Sequence, residues 1–444
     1  MMGFPPVQAQ HAASQERFPA MDRFEDSDFF MDLDLVEDPY SYFEHLRQRG
    51  PAVYLPQHNV LAVTGFEEAL SVHLDNTELS AVNSVTGPLP PIPFTPQGDD
   101  ISAQIEAHRP QMPFGLEELT QDPPRHSPLR SLMMGLFTPS RLREMEAPIR
   151  RLSDQLIDEF AGKGHCELIR QYANPFAMLA IGELLGVPQE DRHAFRKNLE
   201  GAPATIGAGA DATVVNPMQF RVNAFLAYVE ERRREPRDDV LGRLANATFP
   251  DGSLPEAMDV VRVATLLFGA GQDTTATLLG ACLRRLAESP ELQQRMRGSP
   301  ELLPGFIEEV LRHGGPVKST FRLARREVTI GGVTVAPGTT IMITTAAVNR
   351  DPAKFEDPAE FRLGRPAAKD HLAFGRGPHT CPGAALARTE TRISLERILA
   401  RLDAIALDPE HHGPEGNRRF RYLPTYVFRA LQDLHLRFEA PRRL

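Results

Sequence analysis

Cys381 stands in the run Phe374-Gly-Arg-Gly-Pro-His-Thr-Cys-Pro-Gly-Ala384. Gly375, Gly377 and Gly383 let the backbone turn tightly and lie close to something flat or bulky. Apolar and alanine positions follow at helical spacing (Leu386, Ala387, Ile393, Leu395, Ile398), so the cysteine lies at the start of a helix. Positive potential at such a terminus favours thiolate over thiol. Other readings exist. A lone cysteine is more often a buried core residue. His379 beside it suggests zinc, but no further Cys or His follows at ligand spacing.

Two more constellations carry chemistry. Ala270-Gly-Gln-Asp-Thr-Thr275 lies inside a stretch free of breakers other than glycine, from Ser253-Leu-Pro-Glu256 to Glu288. Those four residues read as a capping box with proline just inside a helix of roughly 35 residues, about 50 Å long. Its centre, 260–279, is apolar on nearly every face and must cross the core. An acid and two threonines there, beside a glycine that costs about 1 kcal/mol against alanine, are poor choices for stability alone. A threonine can bond a carbonyl of the preceding turn and open the helix locally. The bland alternative is a kink with satisfied polar groups. His126 and Arg130 share one helical face and could clamp a carboxylate or be a solvated pair. Glu309 and Arg312 are also spaced to pair on a helix.

Phe374, Gly375, Gly377, His379, Cys381 and Gly383 reproduce without a gap the cysteine loop of the cytochromes P-450, and the chain resembles that family from Asp38 onward. The resemblance implies a mainly α fold with small β-sheets (α+β), with haem b between the long core helix and the cysteine-loop helix. Thiolate is a haem axial ligand in that family, so Cys381 is the implied iron ligand. Phe374, Gly375, His379, Gly383, Ala270 and Gly271 would border the haem, and His126, Arg130 and Arg322 would hold its propionates. Thr274 becomes the hydroxyl near dioxygen and Asp273 the proton-delivery acid. Arg365 joins Glu309 and Arg312 in a structural cluster.

The implied activity is monooxygenation, the insertion of one oxygen atom from dioxygen into an unactivated bond. Electrons would come from NAD(P)H through a ferredoxin and its reductase. Arg125, Arg130, Arg376 and Arg388 are the candidate basic docking face. Leu89, Ile92, Phe94, Leu267, Phe268, Val317 and Val427 suggest an apolar small-molecule substrate. Lys318 would meet a substrate carboxylate or snorkel to solvent. A peroxide-driven enzyme of the same fold and a non-enzymatic haem sensor are the alternatives; the Asp273–Thr274 pair favours dioxygen chemistry over both.

Composition agrees with this frame. A formal charge of −10 over 444 residues argues against nucleic acid as a partner. Three cysteines, Cys166, Cys282 and Cys381, without CxxC spacing suit a reducing cytoplasm. Residues 1–30 hold no apolar run long enough for a signal or membrane anchor. The expectation is a disordered leader over 1–27, then one domain over 28–444, cytoplasmic and monomeric.

Local signals predict a helix from Asp38-Pro39 to Gly50, a hairpin over 52–54 and 60–64, and a helix over 66–74. Prolines break up 84–114, which reads as an irregular loop over the pocket. Helices are expected over 142–160, 173–185, 191–200, 218–235 and 304–313, with a soft run at Gly201–Asp211 forming part of a lid. Strands are expected at 320–324, 327–334, 340–345, 420–428 and 434–438, with Val427 or Phe428 reaching the pocket.

Pro382 departs from the commoner family pattern, in which an amide-bearing aliphatic residue follows the cysteine. Proline has no N–H to offer the sulfur, so the thiolate should be more electron-rich. Redox titration of the haem-loaded protein should therefore give a higher reduction potential for Pro382→Leu than for the parent. An equal or lower potential in the variant rejects the idea.

Overall fold

The computed structural model describes residues 24–200 and 216–439; most of the expected leader and the run Gly201–Asp211 lie outside them. The chain opens with α1 (Leu33–Glu37) and α2 (Tyr40–Arg49), then the hairpin β1 (Ala52–Leu55) and β2 (Val60–Val63). Next come α3 (Phe66–Leu74), β3 (Leu79–Ser80), α4 (Ser102–His108) and α5 (His126–Met134). The bundle continues with α6 (Pro139–Asp158), β4 (His165–Glu167), α7 (Asn174–Leu185), α8 (Arg192–Glu200), α9 (Asn216–Arg234) and α10 (Val240–Ala245). After the core helix α11 (Ala257–Ala287) follow α12 (Pro290–Gly298) and α13 (Leu303–Gly314). Strands β5 (Thr320–Ala324), β6 (Val328–Ile330), β7 (Val333–Val335) and β8 (Thr340–Ile343) precede the short α14 (Thr345–Val348). The chain closes with α15 (Ala384–Arg401), β9 (Asp403–Leu407), α16 (Pro409–His412) and β10 (His435–Glu439). The fold is mainly α with small sheets, as the resemblance implies.

One sheet runs β1-β2-β8-β5-β3, with β2 parallel to β8 and the other pairs antiparallel. It brings Arg322 on β5 opposite Ile341 on β8. A second sheet, β4-β10-β9, ties the chain's C-terminal strand to the helical bundle. β6 and β7 form a hairpin across Gly331 and Gly332, both at positive φ (55° and 82°).

α11 is the axis of the helical layer and packs against α7, α9 and α15. Val260, Val263, Ala264, Leu267, Phe268, Leu278, Leu279, Cys282 and Leu286 are all buried along it, so several faces are apolar. No helix among the described residues is long and apolar enough to cross a membrane.

Glu309 is the buried hub of a charge network. Arg312 Nε and Nη2 donate to its two oxygens at 2.8 and 2.7 Å, Arg365 Nε donates at 3.1 Å, and the Arg362 amide at 2.9 Å. The same arginines satisfy carbonyls of the segment before the cysteine loop, including those of Pro358 and Glu360. Burial pushes the Glu309 carboxyl up, yet the Arg312, Arg362 and Arg365 donors bring it below its ordinary range. Removing one member of such a buried set typically costs about 3–5 kcal/mol, because a charge is left without its partner. This network locks α13 to the approach to Cys381.

Four expectations are corrected. Residues 84–114 are not wholly irregular: α4 and a turn of 3₁₀ helix over Arg109–Gln111 form there, anchored by Ile101 and Ile105 in a small apolar cluster. Ser253 does not cap α11; its amide and hydroxyl both bond Asp251, and the helix begins after Glu256 without a side-chain cap. Residues 420–428 make only isolated bridges, Tyr422 with Leu431 and Val317 with Phe428, because the segment folds back on itself and on 316–319. Lys318 neither snorkels nor waits for a ligand: it is fully buried and donates to the carbonyl of Val36.

Candidate functional site

The cysteine loop is shaped by its glycines. Gly375 and Gly377 adopt positive φ (64° and 74°), and a Cβ on Gly377 would lie 2.6 Å from the His73 carbonyl, so only glycine fits. The Cys381 amide donates to the Phe374 carbonyl at 2.9 Å and closes the loop. α15 starts three residues later, at Ala384. The sulfur is enclosed, and burial raises its pKa. The amides of Gly383 and Ala384 and the charges of Arg130 and Arg388 pull the other way without overcoming burial. Burial thus opposes the helix-start potential that favours thiolate. Pro382 contributes no donor to this set.

Thr274 lies on the middle of α11, and its hydroxyl donates to the Ala270 carbonyl at 2.7 Å; Thr277 does the same to Asp273 at 2.7 Å. The expected local opening is not seen: α11 remains α-helical through this turn, and the back-bonds add to its ladder without breaking it. Ala270 and Asp273 are solvent-accessible although they sit at the middle of a helix that crosses the core. They therefore face an internal hollow rather than packed side chains. Protein surrounds that hollow, so burial pushes the Asp273 carboxyl above its ordinary range against the pull of Arg221 and of Gln272, whose amide donates at 3.0 Å.

Thr275 looks the opposite way and bonds Glu390 of α15 at 3.2 Å, which fixes the Asp273–Thr274 turn over the helix that Cys381 introduces. The other oxygen of Glu390 is buried without a partner, and burial pushes its carboxyl up to about 8. Sequence reasoning missed Glu390. Its signal was a charged residue at the spacing Leu386–Glu390–Ile393, on the buried face of α15.

A cationic cluster borders the loop. His126 meets His379 with ring centroids 4.2 Å apart at a tilt of 43°, and Arg130 donates to the Thr380 carbonyl. Arg322 is buried, donates to the carbonyl of Phe321 at 2.7 Å, and is pushed down to about 10 by burial, partly offset by Asp122. Asp122 is itself engaged by Arg109 (3.0 Å) and Arg325 (3.1 Å). Burial, then Arg322 and Arg376, lower His73 to about 3. Burial lowers His379 as well, followed by Arg322, His126, Arg130 and His73. Glu118 is the carboxylate against the pair on α5, 3.1 Å from His126 Nε2 and 3.5 Å from Arg130. That contact lacks hydrogen-bond alignment, since His126 Nε2, like His73 Nε2, is a buried atom with no hydrogen-bond partner.

A flat group bearing two carboxylates and a metal fits these residues. Arg322 and the orphaned histidine nitrogens require anionic or acceptor partners, and the Cys381 sulfur can ligate a metal as thiolate. Haem b supplies all three. Zinc fits less well: among the described residues no group of three or more His, Cys, Asp or Glu side chains could hold a metal ion. His73 and Glu118 escaped the sequence reading because only the packing of α3 and of the turn before α5 brings them to the loop.

Six of the seven expected pocket residues fall into three apolar clusters around β5 and α11. Leu89 and Val427 pack with Phe321 and Tyr426, while Ile92 and Phe94 pack with Ile101 and Leu323. Leu267 and Phe268 belong to the main core, where Phe268 meets Phe195 and Phe225 at ring-centroid distances of 5.1 and 6.0 Å. Val317 pairs with Phe428. Of the four arginines expected on a docking face, two are engaged by neighbouring groups, Arg388 with its side chain still 37 % exposed. Arg130 is committed to Thr380 and Glu118; Arg388 forks onto Glu308 at 2.6 and 2.9 Å and stacks on Phe374. Arg125 is half exposed with a 3.7 Å contact to Asp259, and Arg376 is partly exposed.

Comparison with known proteins bears on this geometry. A family model described as Cytochrome P450 matches residues 297–416. Cytochrome P450 144 of Mycobacterium tuberculosis is 31% identical over 441 residues, 96% of this chain and 94% of that protein. Cytochrome P450 monooxygenase PikC of Streptomyces venezuelae is 32% identical over 415 residues, 92% of this chain and 93% of that protein. Among solved structures, the substrate-free Mycobacterium marinum cytochrome P450 CYP150A6 superposes with a TM-score of 0.88 at 51% identity, covering 93% of this chain and 98% of that one.

Glu390 makes stability depend on pH in a defined direction. Its folded carboxyl keeps a proton to about pH 8, whereas an unfolded one loses it near its ordinary value. Between those values the unfolded chain binds fewer protons, so this group's contribution falls as pH rises. Calorimetric unfolding of haem-loaded Glu390→Gln against the parent should show the variant gaining relative stability from pH 5 to about pH 8. A constant difference across that range would reject the assignment.

Proposed function

We propose that this chain, which belongs to the cytochrome P450 family of haem-thiolate monooxygenases, hydroxylates an apolar small molecule with electrons that originate from NAD(P)H and arrive through a ferredoxin. The observation that carries this reading is the opposition of two built elements. The Cys381 loop lies at the head of α15, and the Asp273–Thr274 turn of α11 is pinned to that helix through Thr275 and Glu390.

When bound, haem supplies the redox chemistry that activates dioxygen. Cys381 would hold its iron, with the Gly383 and Ala384 amides steadying the sulfur. His126, Arg130, Arg322 and His379 would hold the propionates, and the exposed Ala270 leaves the helix surface low enough for a flat group to approach, while Gly271 lies against Ile181 of α7. The Thr274 hydroxyl donates to Ala270 and keeps its lone pairs open to an incoming donor. Asp273 is the proton store: burial keeps a fraction of its carboxyl protonated nearer neutrality than an ordinary aspartate, as general acid catalysis requires. Arg221 lies close enough to bias that proton.

The apolar side chains Leu89, Ile92, Phe94, Val317 and Val427 support an apolar substrate, with Leu267 and Phe268 backing the wall from α11. A substrate held this way is positioned by shape and by exclusion of water rather than by ion pairing. Arg125 and Arg376 remain available for an acidic ferredoxin, while Arg130 and Arg388 are engaged by neighbouring groups.

Spectral titration of the ferric protein with apolar compounds should convert low-spin to high-spin haem for at least one ligand class. A normal thiolate-haem spectrum that no apolar compound moves would overturn the substrate reading. Charge reversal at both Arg125 and Arg376 should slow reduction by ferredoxin about tenfold at low salt and leave the spin-state response intact. Unchanged reduction kinetics would remove these arginines from the docking face.

A further inference from the structure

A second cavity lies outside the site described above, along the C-terminal half of α11. It encloses about 130 Å³ between α11, α13, the first turn of α2 and the segment 422–431. Its wall carries four arginines, Arg284, Arg285, Arg350 and Arg429, against a single carboxylate, Glu288. With His313 neutral, since burial and then Arg350 hold it down to about 3, four guanidinium charges less one carboxylate leave three positive charges around one small volume.

Aromatic rings fix the guanidinium planes without neutralising them. Arg350 lies 3.5 Å from the Tyr40 ring centroid, Arg429 4.0 Å from that of Tyr422, Arg285 4.7 Å from Phe361 and Arg284 3.7 Å from Phe420. Glu288 is shared by Arg284 at 3.0 Å and Arg285 at 3.8 Å. Arg350 donates to the His313 carbonyl at 2.6 and 3.0 Å, and Arg429 donates to the Tyr422 hydroxyl at 2.8 Å. The buried Nε of Arg429 has no partner. Neighbouring carboxylates do not close the balance. Asp38 acts on Arg350 and Arg429 only from a distance, and Glu309 is committed to Arg312 and Arg365.

Helix-end charge accounts for Arg284 and Arg285 in the last turn of α11. It does not account for Arg350 and Arg429, which arrive from distant parts of the chain onto the same volume. Planar forks held by stacking, converging from several directions with excess charge, match a tetrahedral oxyanion better than a single carboxylate. We propose that this cavity binds a phosphate or diphosphate group of a small molecule. The site adjoins the oxygen-activation turn. Thr277 lines the cavity and bonds the carbonyl of Asp273, so an occupant would sit on the same stretch of α11 as the Asp273–Thr274 pair.

Calorimetric titration of the haem-loaded protein with pyrophosphate, in a chloride buffer free of phosphate, tests this. Saturable one-to-one binding is expected, weakened about tenfold or more in Arg285→Gln and in Arg429→Gln, where one charge-assisted donor set is lost. Glu288→Gln should tighten binding, because it removes the competing carboxylate; this variant also guards against a loss caused by misfolding. Adenosine diphosphate binding more tightly than pyrophosphate would assign the group to a nucleotide, and equal affinity to a free phosphate compound. No saturable binding, or the same affinity in parent, Arg285→Gln and Glu288→Gln, would overturn the proposal.

Discussion

The sulfur of Cys381 is enclosed at the head of α15, where burial opposes the helix start and the nearby arginines that favour its charged form. Much of the surrounding architecture follows from that constraint. The loop that presents the sulfur needs two glycines at positive φ, and one of them packs directly against the backbone of α3. A loop of this shape is held by several supports. Arg388 clamps it from α15 through Glu308 and Phe374, and Arg130 from α5 through the Thr380 carbonyl. Behind it the Glu309 network holds the approaching chain at several carbonyls at once. None of these groups touches the reacting atoms, and each limits how far the sulfur can move.

The opposite wall has a different problem. α11 crosses the core and still has to present polar groups at its middle. Threonine hydroxyls that bond carbonyls one turn back solve this locally, and Thr275 is satisfied by Glu390 rather than by solvent. Two carboxyls, Asp273 and Glu390, therefore lie within one region with raised pKa values. Asp273 faces the hollow with Arg221 and Gln272 near it, while Glu390 is sealed in the interface between helices. Proton affinity is set by enclosure at both, but only one of them can exchange with a ligand.

The site was legible from sequence where local chemistry is self-contained. Glycines around a cysteine, an acid–threonine pair in an apolar helix, and a Glu-x-x-Arg on a helix each state their requirement within a few residues. α2, α3 and the β1–β2 hairpin were legible for the same reason: cap, proline and alternation signals coincide at their ends. Strands of two or three residues, such as β3 and β4, have no local signature and exist because a long neighbour offers a free edge. α12 was readable and missed, although Ser289 caps it and Pro290 opens it. The Ser253 box failed because Asp251 lies nearer to its amide and hydroxyl than the helix does.

By itself the sequence determined the glycine-framed cysteine loop, the polar turn in the core helix and the mainly α class. These depend on residue type and spacing within single segments. Tertiary structure alone decided which polar groups meet. His73, Glu118, Arg322 and His379 meet because α3, the turn before α5, β5 and the cysteine loop converge. Arg350 and Arg429 meet Arg284 and Arg285 because the C-terminal segment folds back over α11 and α13. Burial and charge proximity depend on the whole fold, and they decide whether an arginine is a solvated side chain, a clamp or a binding group.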